Sequence, residues 1–133
     1  MVFYSGEYTV SFTGSGRIVL PKKMRELLRG NAFVLSKGYD TCLAGYTPED
    51  WEKQVQELLA ASLGDKESLE KKRFFFGSMV YLKIDEHGRF VIPKNLLEYA
   101  ALSNKEVVIV GVGDHFEVWE PTKWRNYVER INS

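Results

Sequence analysis

The groups most able to do chemistry in this chain are two glycine-rich turns, two histidines, one thiol and several adjacent carboxylates. Gly14-Ser15-Gly16-Arg17 and Gly111-Val112-Gly113 invite comparison with phosphate cradles, but a dinucleotide fingerprint needs a third glycine three residues later, opening a helix. Position 19 is Val and position 116 is Phe. Both glycine pairs therefore read as hairpin turns, where glycine supplies the positive φ. His87 and His115 have no second histidine or cysteine at metal-ligand spacing, and no Gly-x-Ser-x-Gly elbow occurs. Neither a metal site nor a catalytic triad is expected. Asp85-Glu86 and Glu49-Asp50 fall at a turn and in the first turn of a helix, where carboxylates suit solvent or the helix dipole. The expectation is a protein without catalytic residues, without a cofactor and without a metal.

What remains is charge. Eighteen Lys plus Arg balance eighteen Asp plus Glu, and the isoelectric point is near 6.7, so no global basic field draws in nucleic acid or membrane. Locally the balance breaks. Between Tyr8 and Arg29, Arg17, Lys22, Lys23, Arg25 and Arg29 face only Glu26, whereas from Val80 to Ala101 three bases, Lys83, Arg89 and Lys94, meet three acids, Asp85, Glu86 and Glu98. Arg17 at a turn and Lys22, Lys23 and Arg25 just beyond it suit phosphate and base contact. The glycines beside Arg17, Gly16 among them, let a backbone approach DNA closely, and Ser15 in the same turn is counted with the DNA-binding residues. Phe74-Phe75-Phe76 reads as packing rather than as a platform for stacking bases.

The elements that must position these residues come in two copies. Tyr8 to Lys22 aligns with Val80 to Lys94 at an offset of 72, sharing Gly-Arg, Val and Pro-Lys, and Tyr46 to Trp51 aligns with Trp119 to Trp124 at an offset of 73. Each copy reads as strand, turn, strand, short helix, then a second strand pair. Pro21 suits the first turn of its helix, with Met24, Leu27 and Leu28 on one face and Gly30 as the stop. Thr47 reads as an N-cap with Pro48 at the first helical position, opening a helix with Trp51, Val55, Leu58 and Leu59 on one face; Thr122 with Trp124, Val128 and Ile131 is taken as its counterpart. Gly64-Asp65 interrupts the pattern, and Lys66 to Phe76 forms a linking helix closed by Gly77. The expected division is a first unit over 1–58, a linker over 59–79 and a second unit over 80–133. Units of about 50 residues bury too little apolar area alone and should share a core. The lone Cys42, the lack of a signal-like start and the absence of any long apolar run lead to the expectation of a soluble cytoplasmic protein.

Taken together, the two Gly-Arg-φ-Val-φ-Pro-Lys strings, the Pro-x-x-Trp helix starts and the Glu70 to Gly77 stretch resemble the MraZ family, bacterial transcriptional regulators built from two AbrB-like swapped-hairpin units. The resemblance spans essentially the whole chain. It implies an α+β fold of two tandem β-β-α-β-β units forming a small double-psi-like β-barrel, with an amphipathic helix after each. It further implies a nucleoid-associated homo-oligomer, a closed ring, binding double-stranded DNA at tandem promoter repeats ahead of the division and cell-wall gene cluster. The family's Asp-x-x-x-Arg signature is intact as Asp85 to Arg89. In the first copy Thr13 replaces the Asp and Ser15 replaces a common Lys, which removes an Asp-Arg pairing that would orient Arg17. Arg25 matches the arginine of the family's first helix; the second copy has Leu97. The expectation is that Arg17 reads DNA while Asp85 and Arg89 play a structural part. The alternative is an antitoxin-type AbrB-like module that holds a protein partner without regulating DNA.

Overall fold

The computed structural model describes residues 3–60, 65–102 and 105–133. Five short apolar-alternating or β-branched stretches of the first copy and its partner form strands β1 (Glu7–Ser11), β2 (Arg17–Val19), β3 (Ala32–Lys37), β4 (Leu43–Tyr46) and β5 (Val80–Lys83). They are followed by β6 (Arg89–Val91), β7 (Glu106–Gly111) and β8 (Phe116–Trp119). The helices are α1 (Lys22–Glu26), α2 (Pro48–Leu59), α3 (Lys66–Ser78), α4 (Lys94–Tyr99) and α5 (Pro121–Asn132). None of the described helices is long and apolar enough to cross a membrane.

Pairing runs across the copies. One antiparallel sheet has the order β1-β7-β8-β4-β3-β5, and β2 pairs only with β6. The local hairpins are β3–β4 and β7–β8; β1 lies on β7 (Tyr8 opposite Ile109), β5 on β3 (Tyr81 opposite Val34) and β2 on β6. The order is thus symmetric about the β8–β4 junction, exchanging β1 with β5, β7 with β3 and β2 with β6. The expected strand-turn-strand of the first copy keeps its turn, with Thr13 N–H donating to the Arg17 carbonyl at 2.8 Å, but its two strands part to different sheets. The core is accordingly joint. Phe33 of β3 meets the ring of Phe90 of β6 edge-on at 4.9 Å, and Ile18, Leu20, Leu35, Ile92, Ile109 and Phe116 are fully or almost fully buried with them.

The expected barrel is not closed by hydrogen bonds: among the described residues no ladder joins β1 to β5 or the β2–β6 ribbon to the larger sheet. Pro21 and Pro93 stand directly after Leu20 and Ile92, and proline has no N–H with which to extend a ladder. Each proline also sits at the N-cap, with ψ of 141° and 147°, rather than inside the helix. α1 ends at Glu26, and the chain turns at Arg29, whose φ of 54° is matched by 53° at Ala101; Gly30 is not the stop.

Two helices cover the outer face of the first half of the sheet. Thr47 caps α2, its Oγ1 accepting from the Asp50 N–H at 3.0 Å, and Trp51 and Val55 pack with Val34 while Leu59 points to solvent. In the second copy the cap is Glu120, accepting from Lys123 N–H at 2.8 Å, and Thr122 lies inside α5. A constant offset of 73 carries Thr47 to Glu120, so the acid replaces the hydroxyl as acceptor. Gly77 lies within α3, which ends at Ser78; that buried hydroxyl donates to the Phe74 carbonyl at 2.9 Å and accepts from Lys37 N–H at 3.0 Å. Asp65 caps α3, while Gly64 lies outside the described residues. Phe75 joins the packing of α2, and Phe74 stacks on Tyr39.

Candidate nucleic-acid interface

In the β2–β6 ribbon, Arg17 stands opposite Val91, Ile18 opposite Phe90 and Val19 opposite Arg89. Side chains alternate along a strand, so the buried Ile18 and Phe90 fix the inward face. Arg17, Val19, Arg89 and Val91 therefore share the outward face. Arg17 and Arg89 are diagonal cross-strand neighbours, about 7–8 Å apart at the backbone. Two glycines make this possible: Gly16 at φ 70° and Gly88 at φ 77° close the turns in the left-handed region.

Each arginine is held by the residue four positions earlier. Asp85 Oδ1 accepts the backbone N–H groups of His87 and Arg89, both at 2.9 Å, and its Oδ2 accepts Arg89 Nε–H at 2.7 Å. The Arg89 backbone N–H, with the guanidinium and His87 adding to it, lowers the Asp85 pKa to about 2. In the first copy Thr13 does the same work without a charge. Its Oγ1 accepts Arg17 Nε–H at 3.1 Å and its carbonyl accepts an Arg17 Nη–H at 2.8 Å. The expectation that losing the acid leaves Arg17 unoriented is corrected: the ion pair is absent but the guanidinium is fixed. The signal was legible, since Thr like Asp turns its side-chain oxygen back onto nearby backbone in tight turns.

The helices arrive on the opposite hairpin from the one their sequence suggests. Leu20 N–H donates to the Gly88 carbonyl at 2.9 Å, and the Arg25 guanidinium lies against the Gly88 Cα, where a side chain would stand. Reciprocally, Ile92 N–H donates to the Gly16 carbonyl at 2.8 Å, and Leu97 Cδ1 lies 3.2 Å from where a Gly16 Cβ would be. α1 thus buttresses the Arg89 turn and α4 the Arg17 turn. Arg25 is half-buried there, its Nε shielded from solvent; Lys22 and Lys23 stay exposed in the first turn of α1. Gly16 is buried under α4, whereas Ser15 is exposed at the tip. The grouping of Arg17 with Lys22, Lys23 and Arg25 is therefore redistributed: Arg25 packs on the Gly88 turn that precedes Arg89, and the ribbon sets Arg17 diagonally across from Arg89. Among the described residues no cluster of three metal-ligating side chains occurs.

The family model for MraZ proteins, whose description includes the words "antitoxin-like", matches twice, over residues 3–74 and 75–133. The chain belongs to the MraZ family. It is 42% identical over 126 residues to the protein named Transcriptional regulator MraZ of Acetivibrio thermocellus, covering 95% of this chain and 86% of that one. The protein of the same name from Ligilactobacillus salivarius is 38% identical over 126 residues, with 95% and 87% covered. That of Caldicellulosiruptor bescii is 42% identical over 119 residues, with 90% and 82% covered. These relatives are named as regulators, not as enzymes. The double match restates the internal repeat, although in the fold the two copies are interleaved rather than side by side.

Proposed function

We propose that the chain is a transcriptional regulator that binds double-stranded DNA through the outward face of the β2–β6 ribbon. One observation carries the reading: two oriented arginines, Arg17 and Arg89, stand diagonally across the outward face of a two-stranded ribbon, and α1, which carries the exposed Lys22 and Lys23, packs against one of its turns through Arg25. A ribbon of this width enters a major groove, where arginine reads guanine, while lysines meet the phosphates. A module built only to hold a protein partner has no need of paired cations there. We propose a shared reading by both arginines rather than a division of labour, because a guanidinium has five donors and Asp85 engages only one of those on Arg89. Arg17 carries the larger part, its charge being unopposed by an acid.

In finer detail the chain acts in the cytoplasm on the nucleoid, as a homo-oligomeric ring that engages tandem promoter repeats of the division and cell-wall gene cluster. Its repeats span 1–58 and 80–133, with 59–79 between them. Several sites on one ring multiply a weak single contact. The test is a gel shift on the DNA upstream of its own gene, run beside thermal melts. Arg17→Ala is expected to abolish specific binding, a loss of about 1–3 kcal/mol per subunit engaged. Arg89→Ala should weaken it less, and Lys22→Ala should weaken all sequences alike and lower the salt slope by roughly 0.9. Wild-type affinity in Arg17→Ala would overturn the assignment.

A further inference from the structure

α2 and α5 occupy equivalent places in the two copies, each opening on a proline and each packed on the outer face of the sheet. Their charges are opposite. In α2, Glu49, Asp50, Glu52 and Glu57 stand against Lys53; in α5, Lys123, Arg125 and Arg130 stand against Glu129. At the offset of 73 the exchange is position for position: Asp50 becomes Lys123, Glu52 becomes Arg125 and Glu57 becomes Arg130.

The helix dipole explains only part of this. It favours acids in the first turn and bases in the last, which accounts for Glu49, Asp50 and Arg130. Lys123 and Arg125 near the start of α5 and Glu57 near the end of α2 run against it. Nor is the complementarity satisfied inside the chain, since among the described residues no salt bridge joins α2 to α5. Glu52, Glu57, Arg125 and Arg130 are exposed. Each helix also leaves an aliphatic side chain in solvent near its end, Leu59 and Ile131, both 58% exposed.

We infer that the net-acidic solvent side of α2 on one copy docks against the net-basic solvent side of α5 on the next, head to tail. The partner is a second copy of this chain. The inference rests on the homo-oligomer proposed above and identifies the surface that builds it. A patch meeting a different patch is a heterologous contact, which repeats until a ring closes. Like faces repel, so α2 against α2 and α5 against α5 are disfavoured.

The test uses the full chain and two double variants, Glu52→Lys with Glu57→Lys, and Arg125→Glu with Arg130→Glu. All four positions are exposed, and thermal melts check that the variants remain folded. By light scattering after size exclusion, each variant alone should associate at least roughly tenfold more weakly than the parent. An equimolar mixture should recover assemblies of more than two chains containing both variants in equal number, because each altered face again meets its opposite. Raised ionic strength should weaken the parent and the mixture alike. A parent that is monomeric at micromolar concentration removes the oligomer reading itself. A parent that assembles while the single variants assemble equally well, or while the mixture stays dissociated or stops at two chains, overturns only the α2–α5 assignment. So does an Arg125→Glu, Arg130→Glu chain that assembles normally but loses DNA, which would make α5 a nucleic-acid surface.

Discussion

Thr13 and Asp85 solve the same local problem with different chemistry. Each closes a turn onto the arginine four residues later, one through a hydroxyl and a carbonyl, the other through a carboxylate. Only the carboxylate titrates, so only the second turn carries a pH signature. The Asp85 pKa is depressed in the fold from 3.8 to about 2, first by the Arg89 backbone N–H. A depressed acid contributes stability above its unfolded pKa, and that contribution is lost as pH falls through the folded one. The native turn should therefore loosen between roughly pH 4 and pH 2. Asp85→Asn keeps an acceptor for the backbone N–H groups but cannot titrate. Its melting temperature is expected to be lower than wild type at neutral pH, with the gap narrowing across that acid window; a gap independent of pH in parallel melts would contradict the linkage.

At the scale of elements, two glycines show how context decides what a missing side chain is worth. Gly45 of β4 lies opposite Phe116 of β8, and a Cβ there would collide with the Cζ end of the phenyl ring. Phe116 is fully buried between Tyr4 and Phe33 and has nowhere to go. Gly45→Ala is expected to destabilise by about 1–3 kcal/mol or more, read from urea unfolding. Gly77 is the contrast, exposed within α3 with nothing near its absent Cβ. Gly77→Ala should stabilise by about 0.5–1 kcal/mol. Glycine was a sound turn signal at Gly16 and Gly88 but a false helix stop at Gly77, because α3 is held at its end by the buried Ser78 hydroxyl instead. Thr47 was legible as a cap because hydroxyl capping is local; Glu120 was not, since a glutamate is a weaker cap signal than the threonine two residues on.

For the whole molecule the exchange of strands is the governing fact. β1, β2 and β3 of the first copy draw ladder partners from β7, β6 and β5 of the second. A chain cut into 1–64 and 65–133 therefore leaves unpaired edges and half a core on each piece. Neither half should melt cooperatively alone, and an equimolar mixture should regain β structure by circular dichroism. A half that unfolds cooperatively as a monomer would show that the copies are independent domains. The same exchange decides the site. Arg25 of α1 buttresses the Arg89 turn, and the ribbon sets Arg17 diagonally across from Arg89, so the contrast between a basic and a neutral copy seen along the chain does not map onto two separate surfaces.

The sequence by itself determined the repeat, the two Gly-Arg turns, the Thr47 cap, the short helices after Pro21 and Pro93, and the membership that these motifs announce. All are local: they depend on φ preferences, a missing N–H or a side chain reaching its neighbours. Only the tertiary structure decided which strand pairs with which, that the ribbon stays separate from the sheet, and which helix guards which arginine. Two copies with the same alternation satisfy their hydrogen bonds equally well by pairing within or between themselves. The choice falls to long-range packing such as Phe33 on Phe90, which joins residues of different copies and leaves no trace in either one's periodicity.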